Sequence, residues 1–264
     1  MESGDFYLGT HRAHWLWTVT DVPLFISHRV LQRRRTAFPP ATTRWALDSG
    51  GFTELNLYGR WKTTPEEYVT AVRRYSDELG GLQWASPQDW MCEPWVIKKT
   101  GLSVEEHQRL TTANYLRLRE LAPELPFAVV LQGWELADYH AHADAYDAAG
   151  VDLAAAPIVG IGSVCRRQGS GQIAAIFDSL QSRGLKMHGF GVKSAGLALY
   201  ADNLASADSL AWSYGARRDA SKGIRHCAKS TCANCLHYAL AWRERVLRGM
   251  DTRQLPLFGA SWSA

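Results

Sequence analysis

Three aspartates stand in settings that suit chemistry. Asp48 follows the apolar run Trp45-Ala46-Leu47 and precedes Ser49-Gly50-Gly51-Phe52, Asp89 closes Ser86-Pro87-Gln88-Asp89, and Asp208 lies within Ala207-Asp208-Ser209-Leu210. Parallel α/β folds gather their reactive side chains at the C-terminal ends of strands. A carboxylate there can attack an electrophilic carbon, carry a proton, or accept the N–H groups of a ligand. The glycine pair after Asp48 permits backbone angles closed to other residues and lets a flat ligand approach the main chain. Taken singly, each of these motifs is equally a turn or a helix cap, the usual employment of Asp beside Ser or Gly.

Cys227, Cys232 and Cys235 form a C-x4-C-x2-C array, so three of the five cysteines fall within nine residues. That spacing suits a metal better than disulfides. Cys92 and Cys165 read as ordinary thiols. Basic residues cluster as His28-Arg29, Arg33-Arg34-Arg35, Arg166-Arg167 and Arg217-Arg218, against a formal net charge of only +3. A polyanion would therefore be met by local patches and not by the whole surface, although such runs are also ordinary solvated faces. Of the eleven tryptophans, most are expected in the core or its rim and some could stack on bases. No apolar run approaches the roughly 18 residues of a membrane helix, and no signal-peptide pattern is evident. The expected setting is a reduced cytoplasm without membrane association.

The elements that must position these residues alternate along the chain. Phe6 to Gly9, Pro23 to Ser27, Arg44 to Leu47, Leu82 to Ser86, Phe127 to Leu131, Val151 to Ile158, Leu185 to Gly189 and Ala207 to Trp212 read as strands. The stretch through Arg33-Arg34-Arg35 to Pro39-Pro40 reads as a loop, and Val159 to Val164 as a glycine-rich turn. Thr64-Pro65-Glu66-Glu67 opens a helix to Leu79, with Thr64 as cap and proline at the first helical position. Ser103 with Glu106 has capping-box spacing for a helix to Leu121. Further helices are expected over about 135–149, 173–182, 195–200 and 236–247. Strand and helix in alternation through 264 residues predict one α/β domain, a (β/α)8 TIM-like barrel, with an open doubly wound sheet as the alternative. The glycines at 160 and 162 lack full dinucleotide-binding spacing.

In order and spacing, Asp48-Ser49-Gly50-Gly51-Phe52, Ser86-Pro87-Gln88-Asp89, Gln132-Gly133, the turn at 160–164, Gly189-Phe190-Gly191 and Asp208 resemble the tRNA-guanine transglycosylase family. Gly162-Ser163-Val164-Cys165-Arg166-Arg167 and Thr231-Cys232-Ala233-Asn234-Cys235 are similar to its compact branch that places deazapurines in DNA. The likeness spans roughly residues 6 to 250 and implies a shared barrel.

The resemblance implies an Asp208 nucleophile at C1′ of the target nucleoside and an Asp48 acid/base. It implies Asp89 as the reader of the guanine edge, assisted by Ser49, Gln132, Gly160, Gly162, His188 and Gly189, with Phe52 stacking on the base. Retention at an anomeric carbon needs two displacements, hence a carboxylate nucleophile and a separate proton carrier. Arg166, Arg167 and Arg217 are the expected contacts to the nucleic-acid backbone. A structural zinc is implied on Cys227, Cys232 and Cys235 in a segment over 226–250, with His226 as fourth ligand and His237 as the alternative. The expected activity is exchange of guanine in DNA for a 7-deazaguanine such as preQ0. Exchange on tRNA or a free nucleotide, and a non-catalytic nucleic-acid-binding partner subunit, stand as alternatives, and a homodimer is compatible with either.

Overall fold

The computed structural model describes residues 6–165, 167, 170–192, 194–223, 227 and 231–254. Eight strands are present: β1 (Phe6–Thr10), β2 (Leu24–Ser27), β3 (Trp45–Asp48), β4 (Leu82–Ala85), β5 (Val129–Leu131), β6 (Val159–Ile161), β7 (Met187–Gly189) and β8 (Ser206–Ser209). Helices α1 (His28–Leu31), α2 (Gly51–Tyr58), α3 (Pro65–Leu79), α4 (Pro94–Thr100) and α5 (Val104–Leu121) occupy the first half. The second half holds α6 (Leu136–Ala148), α7 (Gly171–Gln181), α8 (Ser194–Tyr200), α9 (Ala211–Ser221) and α10 (Leu236–Gln254).

All strand pairs are parallel and the sheet order is β4-β3-β2-β1-β8-β7-β6-β5. Consecutive strands are thus neighbours, and β1 lies beside β8. The sheet curls until its edges meet: Ala85 of β4 bridges Phe127, just ahead of β5, through Ala85 N–H to Pro126 O at 3.0 Å and Ala128 N–H to Ala85 O at 2.9 Å. The result is a TIM-like α/β architecture with helices outside.

Strand side chains alternate between the two faces. Leu8, Leu24, Ile26, Trp45 and Leu47 face one outer core against the helices, and Phe6, Val129, Leu131, Val159, Ile161 and Ala207 face another. Tyr7, Phe25, Ala46 and Trp84 point inward and fill the curl. The same phase carries Asp48, two residues after Ala46, to the inner face at the strand's C-terminal end. Asp208 pairs in register with inward-facing Tyr7.

Local sequence fixes several elements as expected. Thr64 accepts from Glu67 N–H at 3.2 Å while Glu67 Oε2 accepts from Thr64 N–H at 2.8 Å, a complete capping box at the start of α3. Ser103 caps α5 through Glu106 N–H. Other elements differ from the sequence reading. The sixth strand is Val159–Ile161 and not Val151 to Ile158. Gly160 belongs to that strand because a Cβ there would lie 2.4 Å from the Phe190 ring inside the curl. Gly50, at φ 88, is not a free turn but the N-cap of α2. Short α1 occupies the start of the expected basic loop, and β8 ends at Ser209, so Trp212 belongs to α9.

Candidate active site

Asp48, Asp89 and Asp208 meet in one cavity of about 260 Å³ at the C-terminal end of the curled sheet. Phe52, Gln132 and Gly162 also line it, as do four residues that sequence reading did not single out as site residues: Phe25, Glu93, Ser163 and Phe190. Asp48 comes from the end of β3, held by hydrogen bonds from the Ser27 hydroxyl and the Gly50 N–H. Burial raises its pKa despite those bonds, and the charge of Asp208 adds to the rise.

Asp89 sits on the loop after β4, which the neighbouring helices pin in place. Asn114 Nδ2 of α5 donates to Gln88 O at 2.7 Å, Trp90 N–H donates to Thr111 Oγ1 at 2.8 Å, and Trp61 Nε1 donates to Asp89 O at 3.2 Å. The carboxylate accepts from Gln132 Nε2 at Oδ2 and from Ser49 Oγ at Oδ1, the latter at 3.4 Å. Burial and the nearby Asp48 nevertheless push its pKa up to about 7. Both effects penalise the anion in a site that already holds negative charge.

Asp208, from β8, accepts at Oδ1 from Gly191 N–H at 2.8 Å, and His188 Nε2 lies 3.3 Å from the same oxygen. His188 Nδ1 is 2.7 Å from Ser206 Oγ. The network closes if Nε2–H donates to Asp208 and Nδ1 accepts from the Ser206 hydroxyl. Both contacts to Asp208 fall on Oδ1, which leaves Oδ2 as the oxygen with a free lone pair.

Phe52 on α2 is 45% exposed and meets Trp95 edge to face at 5.7 Å, forming an aromatic lip to the cavity. Ser49 lies behind Asp89. Gly160, His188 and Gly189 do not line the cavity. Gly160 faces Phe190, a Cβ on Gly189 would meet Val192 at 2.6 Å, and His188 is wholly buried among Tyr7, Phe25, Trp84 and Phe190. His188 therefore reaches the site only through Asp208.

The expected backbone contacts are not at the cavity wall. Arg217 on α9 donates from Nε to Ser213 O at 3.3 Å and from Nη2 to Ser213 Oγ at 3.0 Å. Arg167 lies with its guanidinium 3.7 Å from the Trp134 ring centroid. Arg166 and His226 lie outside the described residues.

Cys227, Cys232 and Cys235 converge, their Sγ atoms all within 4.8 Å of one another, close enough to hold one metal ion. His237, exposed on α10, is not part of that group. Sequence reading missed Glu93 and Ser163 because their significance is spatial. Glu93 before Pro94 looks like a helix start, which it also is, and an acid beside a strand-end loop was the one available signal.

A family model described as DpdA, DeoxyPurine in DNA protein A, matches residues 2–264, and that family is tRNA-guanine transglycosylase-like. Among curated proteins nothing matches. Among solved structures, one similar chain is a Sinorhizobium meliloti protein described as a provisional isomerase in an open-loop conformation, at 14% identity and a TM-score of 0.38. The alignment covers 78% of this chain and 50% of that one, so this chain spans about half its length. A likeness this slight bears only on general architecture.

Proposed function

The chain belongs to the DpdA family, which implies a 7-deazaguanine transglycosylase role on DNA, and from that premise we propose that it exchanges guanine in DNA for a 7-deazaguanine such as preQ0 by double displacement. The observation that supports this is the convergence of Asp48, Asp89 and Asp208 on one purine-admitting cavity.

In this reading Asp208 Oδ2 attacks C1′ as the bond to guanine N9 breaks, leaving a glycosyl ester on the aspartate. Gly191 N–H and His188 hold Oδ1 and so fix the rotamer in which Oδ2 faces the sugar. Asp48, kept partly protonated by its burial, delivers a proton to the departing base and takes one from the incoming base. That base attacks C1′ from the face guanine left and releases Asp208, so configuration is retained.

Asp89 accepts the N1–H and 2-amino protons, Gln132 lies next to the 6-oxo group, and the Phe52 ring stacks at the mouth. A base within a duplex must first be extruded. Arg166, Arg167 and Arg217 are assigned to phosphates. Such a role requires Arg167 and Arg217 to release their present contacts with Trp134 and Ser213. Three thiolates within reach of one ion suit zinc, held by Cys227, Cys232 and Cys235. A closed sulfur-rich site supplies structure and no open position for chemistry.

The test is incubation of the protein with DNA and isotopically labelled preQ0, followed by digestion to nucleosides. Label is expected in a modified deoxyguanosine, and Asp208→Ala is expected to abolish it. Parallel tRNA and mononucleotide acceptors, if labelled while DNA is not, would overturn the DNA assignment. Absence of label from every acceptor would overturn base exchange itself.

A further inference from the structure

A line of hydrogen bonds runs along one wall of the cavity and continues past the residues that base exchange uses. Gln132 Nε2 donates to Asp89 Oδ2, and Ser163 Oγ lies 2.7 Å from Gln132 Oε1 and 2.9 Å from Glu93 Oε2. All four residues face the cavity. Glu93 is only 3% exposed, a degree of burial carboxylates seldom reach. Cys92 N–H donates to Ser163 Oγ at 2.8 Å, so this hydroxyl has a single proton to share between an amide oxygen and a carboxylate. Ser163 is held at φ 54, a left-handed backbone that a non-glycine residue keeps only where its surroundings enforce it.

The order of this wall matches the order of groups around a guanine. Passing from the 2-amino group through N1–H to the 6-oxo group, the next ring position on the perimeter is 7. Asp89 suits the first two, which are donors, and the Gln132 amide suits the third. Ser163 and Glu93 come next. Resting on the base-exchange reading above, we propose that Ser163 and Glu93 form the subsite for the 7-substituent, and that it selects a substituent that donates hydrogen bonds, foremost a protonated aminomethyl group.

An aminomethyl ammonium brings three N–H donors and a positive charge toward the Glu93 carboxylate, giving charge-assisted hydrogen bonds. A nitrile brings only a lone pair and faces that carboxylate acceptor to acceptor. Guanine carries an acceptor at N7, which the Ser163 proton can serve by turning from Gln132 or Glu93. The same wall therefore accommodates the base that leaves and favours a donor-bearing base that enters. A site built around buried acceptors discriminates strongly against ligands that cannot supply donors.

Incorporation into DNA of labelled 7-aminomethyl-7-deazaguanine, 7-cyano-7-deazaguanine and guanine, measured side by side, tests this. The wild-type ratio of kcat/KM for aminomethyl over cyano is expected to be roughly tenfold or more, and to fall to about one or below in Glu93→Gln. Because each ratio is taken within one protein, partial loss of folding or activity in the variant cancels. A wild-type ratio at or below one overturns the subsite, whatever the variant does, and so does an unchanged ratio in Glu93→Gln. The guanine arm separates the two readings. Guanine incorporation without substituent preference refutes the subsite alone, whereas failure of all three bases on every acceptor refutes base exchange and the subsite with it.

Discussion

Asp89 is the residue whose ionisation decides what the cavity can bind. A guanine edge offers two donors and needs both carboxylate oxygens free of protons. In the empty site, burial and Asp48 raise the Asp89 pKa from 3.8 to about 7, with the Gln132 hydrogen bond offsetting part of that rise. A raised acid favours the folded state fully below 3.8, and this contribution is lost as pH climbs through about 7. Base binding runs the opposite way, since it selects the anion. Guanine affinity measured by titration calorimetry should therefore strengthen about tenfold per pH unit below 7 and level off above it. Asp89→Asn should be weak and flat. A wild-type affinity that is flat across the range, or stronger in acid, would refute the assignment. This residue was legible in sequence because it follows a readable strand. Ser163 was not, since its partners Glu93 and Gln132 lie 70 and 31 positions away.

At the scale of elements, the end of β6 controls the site more than its short length suggests. A Cβ added to Gly162 would lie 2.2 Å from Gln132 Nε2 and 2.5 Å from its Cδ. The atoms met belong to a side chain that can swing away, so Gly162→Ala should displace Gln132 from Asp89 and spare the backbone. Guanine affinity should fall roughly tenfold, in line with overpacking costs of about 1–3 kcal/mol, with little change in Tm. Thr64→Ala, which breaks the cap of α3, should do the reverse, losing about 1 kcal/mol of stability and leaving kcat/KM unchanged. Equal affinity for guanine in Gly162→Ala and wild type would disprove the coupling. The two elements also divide what sequence can disclose. The signals of α3 and α5 sit within four residues and are read directly. That Gly160 belongs to β6 depends on the Phe190 ring, and α2 depends on the 2.8 Å pairing of Arg29 with buried Glu54. Neither contact is local.

At the scale of the molecule, α10 ties the barrel's two outer cores together. Tyr238 and Ala239 belong to one core and Val246 to the other, while Trp242 packs against both. The cysteine cluster stands at the head of this helix. Ser213 Oγ donates to Ala233 O at 2.8 Å, Trp212 Nε1 to Gly9 O at 2.9 Å, and Arg243 Nε to Phe6 O at 3.0 Å. Those bonds link the cluster, α9 and α10 to β1, and β1 pairs with β8 at Tyr7 and Asp208. A metal on the three thiolates would thus brace the strand pair that carries Asp208 without touching the reacting atoms. Chelation should release about one zinc per chain and lower Tm by several degrees, at roughly 2–4 °C per kcal/mol for a chain of this size. Cys232→Ser should reproduce the shift. Activity should then disappear at the temperature where folding is lost, and return with zinc. Below that temperature the pH dependence of guanine binding should be unchanged, because no ligand of the metal faces the cavity. Purified protein with no bound metal, or a Tm indifferent to chelation, would refute the bracing role, and a shifted pH profile in the folded chelated protein would move the metal into the site.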